Sequence, residues 1–104
     1  MTAPRAMVVE DDRALQLLYT SLFEQQGWDF DLTVNAQQAI DLLGQHTYKI
    51  VFLDILLPMV SGLVVLQHIA EMPNAVDVHV VIASASPEYE RYIDRVPSAE
   101  FLLK

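Results

Sequence analysis

The chain has 104 residues, 53% of them apolar and 19% charged, and its 14 acidic and 6 basic residues leave a net charge of −8. This is the composition of one folded globular domain, which buries roughly 60–70% of the surface its unfolded chain would expose. With no cysteine, disulfides, thiolate metal sites and cysteine nucleophiles are excluded, and the acidic balance argues against a nucleic-acid backbone as partner, leaving proteins, small phosphates or cations.

From the N-terminus, Glu10 arrives before a signal-peptide apolar region can develop, and Asp54 breaks the longest apolar stretch well short of the ~18 residues of a membrane span. The expectation is a cytoplasmic protein that neither spans nor binds a membrane. Met7 to Val9 reads as a short buried strand. Asp12 caps a helix whose Leu15, Leu18, Leu22 and Phe23 recur at helical spacing, and Gly27 suits its end. Trp28 to Val34 alternates as a partly exposed strand, and Asn35 caps a helix from Ala36 to Leu43 that Gly44 ends.

Lys49 to Leu53 is a continuous apolar strand, followed by a helix from Gly62 to Met72 that Pro73 closes and by a β-branched strand from Val78 to Ala83. Pro87 opens a fourth helix that runs to about Asp94, and Phe101 to Leu103 reads as a fifth strand. Strands alternating with helices, without repeats or linkers, predict one domain over residues 1–104. Its class is α/β, a doubly wound, five-stranded parallel sheet.

In such sheets the functional groove lies at the carboxyl ends of the strands. There the sequence places Glu10, Asp11 and Asp12, then Asp54, Ser84 and Lys104. The first and third strands are neighbours in this topology, so Asp11 and Asp54 should meet. Clustered carboxylates repel one another, and a hard cation such as Mg²⁺ relieves the repulsion. Taken singly, Glu10 to Asp12 could be a solvated capping run and Asp54 a turn residue. Those readings explain poorly why an aspartate closes the apolar run Ile50 to Leu57, where burial is costly without a partner. With a cation to offset charge, an aspartate can attack phosphorus, while the Lys104 ammonium and the Ser84 hydroxyl hold phosphoryl oxygens.

These residues resemble the receiver domain of two-component response regulators. The resemblance spans nearly the whole chain: Val8-Val9-Glu10-Asp11-Asp12, Asp54 with Pro58 four and Gly62 eight positions later, Ala83-Ser84-Ala85, Lys104, and Asn35-Ala36-Gln37-Gln38-Ala39 at the second helix. It implies a flavodoxin-like receiver fold and a Mg²⁺-dependent phosphoacceptor switch with Asp54 as acceptor. Asp11, Asp54 and the Leu56 backbone carbonyl ligate the metal, and Glu10 helps through a metal-bound water. Ser84 is the switch hydroxyl, Lys104 the phosphate-binding lysine, and Phe101 an aromatic that turns inward, although core packing would account for Phe101 equally well. The implied partners are a sensor histidine kinase or histidine phosphotransfer protein, an output domain or protein, and a second copy in a homodimer.

The sequence departs from the family pattern at three points. Ser61 stands where an aspartate usually precedes the glycine, an alteration expected to affect only the loop. The Ser84–Lys104 stretch is slightly short and carries Pro97, which suggests an irregular fourth helix. The chain ends where members continue into a fifth helix, so the expected fold lacks that helix. Two rival readings remain. A phosphohydrolase using Asp54 would want a general acid two residues later, where apolar Leu56 stands. A phosphorylation-independent interaction module would have no need to keep the acid pair, acceptor, hydroxyl and lysine together.

Overall fold

Continuous apolar stretches make the central strands, and less regular ones make the edges. In the computed structural model, which describes residues 3–56 and 61–104, the strands are β1 (Arg5–Val9), β2 (Asp29–Thr33), β3 (Ile50–Asp54), β4 (His79–Ser84) and β5 (Ala99–Leu103). They form one sheet in the order β2-β1-β3-β4-β5, parallel at every pairing. Ala6 to Val9, Val51, Leu53, Val80 and Ile82 are wholly buried because these strands are covered on both faces. The edge strands β2 and β5 keep half-exposed residues such as Leu32 and Leu103.

Among the described residues three α-helices connect them: α1 (Arg13–Gln25), α2 (Ala36–Gln45) and α3 (Gly62–Ala70). Each begins where a short polar side chain accepts an otherwise orphaned N–H: Asp12 from Leu15, Asn35 from Gln38, and Ser61 from Leu63. The last corrects the view of Ser61 as a loop change only, since it starts α3. Gly27, with φ at +76°, supplies the left-handed residue after α1.

The two faces are covered unequally. Tyr19 and Phe23 of α1 pack with Ala6, Val8, Phe52 and Trp28 on one face, Tyr19 stacked on Phe52 at 4.4 Å between ring centroids. On the other face α2, α3 and the segment after β4 enclose the larger core around Met7, Val9, Leu53 and Ile82.

Several sequence expectations are corrected. Leu18 and Leu22 are half-exposed, and the buried face of α1 is Gln16, Tyr19 and Phe23. Gly44 lies inside α2, which runs to Gln45, because a glycine permits a left-handed stop without imposing one. The helix α3 ends at Ala70, and a 3₁₀ turn, Ala75–Asp77, precedes β4. The fourth helix is a nine-residue 3₁₀ segment, Pro87–Arg95, in which residues three apart eclipse, bringing the Tyr89 and Tyr92 rings to 6.0 Å. Pro58 lies outside the described residues. Among the described residues no helix is long and apolar enough to cross a membrane.

Candidate functional site

Every candidate residue except Phe101, which lies within β5, sits at or just past the end of a strand. The last ladder contact between β1 and β2 is the Glu10 N–H donating to the Thr33 carbonyl at 3.1 Å; Asp11 and Asp12 then turn the chain into α1. β3 reaches Asp54, which pairs in register with Ala83, and β5 delivers Lys104, whose N–H donates to the Ser84 carbonyl at 2.9 Å.

Because β1 and β3 are neighbours, Glu10, Asp11 and Asp54 converge, each with a carboxylate oxygen within 4.8 Å of the others. Glu10 and Asp54 are buried, while Asp11 faces solvent. The Lys104 side chain crosses the end of β4 to place Nζ 3.0 Å from Glu10 and 3.1 Å from Asp54. Asp54 Oδ1 also accepts the Leu56 N–H at 3.0 Å, and Glu10 Oε1 accepts the Asp12 N–H at 3.1 Å. Two buried carboxylates thus share one ammonium, and the third, Asp11, opens to solvent.

The electrostatics follow from that imbalance. Burial pushes the Glu10 carboxyl above its usual range, and the repulsion of Asp54 adds to it; the hydrogen bonds from Lys104 and Asp12 only partly offset both. Burial alone would lower Lys104, but its hydrogen bonds to Glu10 and Asp54 outweigh that and hold it above the ordinary lysine value. Lys104 is therefore a permanent cation at neutral pH.

Gly62 sets the floor of the site. Its N–H donates to the Ile55 carbonyl at 2.8 Å, so α3 begins directly against the end of β3. A Cβ at this position would collide with the Asp54 carbonyl oxygen and approach Ile55 Cα to 2.9 Å.

Of the residues singled out in the sequence, Glu10, Asp11, Asp54 and Lys104 form one cluster. Ser84 is buried at the end of β4, where its hydroxyl accepts the Ser86 N–H at 3.0 Å. Phe101 is half-buried, opposite Ile82 and against the larger core. Leu56 is exposed and contributes its N–H to Asp54. Motif reading passed over Gln16, a buried residue whose side-chain amide donates to the Glu10 carbonyl at 2.7 Å. The available signal was a polar residue at helical spacing from Tyr19 and Phe23.

Comparison with known proteins shows the family. The family model for the response regulator receiver domain matches residues 6–104. A Haemophilus influenzae protein, the transcriptional regulatory protein CpxR homolog, is 32% identical over 92% of this chain and 39% of its own length. The chain spans less than half the length of the curated relatives it matches. Among solved structures, the response regulator protein TrrA of Thermotoga maritima, in complex with Mg(2+)-BeF, superposes with a TM-score of 0.80 at 24% identity, covering 97% of this chain and 86% of that one. A Saccharomyces cerevisiae response-regulator receiver domain, solved with a histidine phosphotransfer signaling protein, superposes with a TM-score of 0.83 at 20% identity, covering 98% of this chain and 79% of that one. With the family model matching nearly end to end, over the strands that carry the acidic cluster and its lysine, the chain belongs to the response regulator receiver domain family of two-component signal transduction.

Proposed function

We propose that residues 1–104 act as one cytoplasmic phosphoacceptor domain in which Asp54 receives a phosphoryl group from a histidine kinase or histidine phosphotransfer protein. The observation that carries the reading is the meeting of Glu10, Asp11 and Asp54 within 4.8 Å, with Lys104 within 3.1 Å of two of them. Three carboxylates and one ammonium make a poor structural ion pair, because buried charge is left uncompensated. They make a good cradle for a cation and a phosphoryl group.

The donor set is all hard oxygen, which suits Mg²⁺. Asp11, Asp54 and the Leu56 carbonyl would hold it directly, with Glu10 acting through a water. Once bound there, Mg²⁺ offsets the negative charge shared by the Asp54 carboxylate and an incoming phosphoryl group. In the transfer, an Asp54 oxygen forms a bond to phosphorus as the bond from phosphorus to the donor's imidazole nitrogen breaks, and the imidazole recovers a proton. Lys104, with three donors, can turn one toward a phosphoryl oxygen while retaining Glu10. The Ser84 hydroxyl, which accepts the Ser86 N–H, then turns to donate its own hydrogen to the new phosphoryl oxygen, and Phe101 packs inward to change the surface beside β5. The domain works as an acceptor and switch without turnover on a separate substrate, and its negative charge keeps it from direct contact with nucleic acid.

Acetyl phosphate with and without Mg²⁺, followed by intact-mass measurement, tests the proposal. One phosphoryl group should add to the wild type only with Mg²⁺, and none to Asp54→Asn. Full labelling of that variant would overturn the assignment.

A further inference from the structure

We propose that Gln16 is a positioning residue for the acidic site, holding the turn that presents Glu10 and Asp11 by bonding to the backbone on both sides of Asp11. The inference rests on the reading of that site as a Mg²⁺ and phosphoryl cradle.

Asp11 is the exposed member of the cluster and lies in the middle of the three-residue turn Glu10-Asp11-Asp12, where β1 has left the sheet and α1 has not begun. Two of the bonds that hold this turn come from one residue, four positions after Asp12 and six after Glu10. The Gln16 N–H donates to the Asp12 carbonyl at 2.9 Å, and its side-chain Nε2 donates to the Glu10 carbonyl at 2.7 Å. Gln16 is 6% exposed on the face of α1 that packs on the sheet, beside Tyr19 and Phe23. An amide there needs a partner, since burying it unpaired is unfavourable.

Its charge state matters as much as its reach. Glu10 already takes one ammonium from Lys104, and a second cation beneath the turn would compete with a metal for the acidic cluster. A neutral donor aims the carboxylates without cancelling their charge. Outer groups that orient metal-binding residues act in this way, and their loss typically weakens metal affinity about 10- to 100-fold. Because Gln16 acts through the backbone of its neighbours, about tenfold is expected.

The test compares Gln16→Met, which keeps the volume and removes the donor, with Phe23→Leu, which loosens the same face of α1 without touching the turn. Mg²⁺ affinity by titration calorimetry is measured on both, with the Asp11 and Asp12 amide resonances of the metal-free proteins and their urea unfolding. Gln16→Met should bind Mg²⁺ about tenfold more weakly and shift both resonances, whereas Phe23→Leu should lose stability yet keep its affinity within about twofold. Should Gln16→Met not fold, Gln16→Asn, which keeps the amide but withdraws it by one carbon, should show a smaller change of the same sign. Wild-type affinity in the folded Gln16 variant, or an equal loss in Phe23→Leu, overturns the inference while leaving the site intact. If the wild type itself binds no Mg²⁺, the functional reading fails and this inference fails with it.

Discussion

At the amino-terminal end of the sheet one carboxylate is shared by two side-chain donors, and at the carboxyl-terminal end two buried carboxylates share one ammonium beside a third, exposed carboxylate. In the first, Asp31 Oδ2 accepts from Arg5 Nη1 at 2.9 Å and from the Tyr48 hydroxyl at 2.6 Å. Burial and the neighbouring carboxylate push the Tyr48 phenol well above its usual value, so it remains a donor throughout the working pH range. Charge and hydrogen bonds both close, and the cluster ties β1, β2 and the entry to β3 together. In the second, Glu10 and Asp54 are more deeply buried than either member of the Arg5–Asp31 pair, yet among the described residues their only cation is Lys104. The difference separates a staple from a site. A closed cluster has nothing left to bind, whereas an under-compensated one is held by the fold against its own repulsion and gains most from an incoming cation or phosphoryl group.

Removing the lone cation should produce the largest effect. Lys104→Ala leaves two buried carboxylates unpaired and should cost about 3 kcal/mol at neutral pH by urea unfolding, with part of the loss recovered in millimolar Mg²⁺. A loss under about 0.5 kcal/mol would mean that the pair is no more than an ordinary surface ion pair. Opening the staple comes next. Asp31→Ala strands the Tyr48 hydroxyl and should cost about 1–3 kcal/mol, with Mg²⁺ affinity and labelling at Asp54 unchanged; reduced labelling would show that the two ends are coupled.

Asp11→Ala should go the other way. Deleting one of the mutually repelling carboxylates should raise metal-free stability by at most about 1 kcal/mol and weaken Mg²⁺ binding severalfold or more by calorimetry. Unchanged Mg²⁺ affinity would remove Asp11 from the site. The smallest effect is a pH slope. Because the Glu10 carboxyl is raised in the fold, the folded state holds that proton more tightly than the unfolded one. The resulting stability is fully present below the usual glutamate value near 4.5 and is lost as pH rises through the elevated value. Metal-free protein should therefore gain stability on acidification from pH 7 toward that window, and Glu10→Gln should flatten the gain. An unaltered slope in that variant would assign the effect to other groups.

Much of this was legible in the chain alone, for reasons particular residues make plain. Asp12 and Asn35 cap helices because their side chains accept N–H groups three residues on, a local event that residue type and spacing determine. Asp54 could be marked because a carboxylate ending an apolar run is costly without a partner. The buried face of α1 was only partly legible. Leu15, Leu18, Leu22 and Phe23 suggested one stripe, and Phe23 is buried with Leu15 packed beside it, but the helix turns Gln16 and Tyr19 inward as well and leaves Leu17, Leu18 and Leu22 about half exposed. Periodicity places residues on faces, and the stacking of Tyr19 on Phe52 selects which face meets the sheet.

The sequence by itself determined the strand-and-helix alternation, the acids and hydroxyl at the strand ends, and the surplus of negative charge, because all of these depend on residue type and near-neighbour spacing. Only the tertiary structure decided that Lys104 serves both Glu10, 94 positions away, and Asp54. It also decided that Pro87–Arg95 winds as a 3₁₀ segment and that Gln16 reaches back to the Glu10 carbonyl. The lysine contact exists because the sheet sets β5 two strands from β3 and three from β1, so that one long side chain can span their ends. Strand order is a property of the whole packed chain, and no local pattern around Lys104 encodes it.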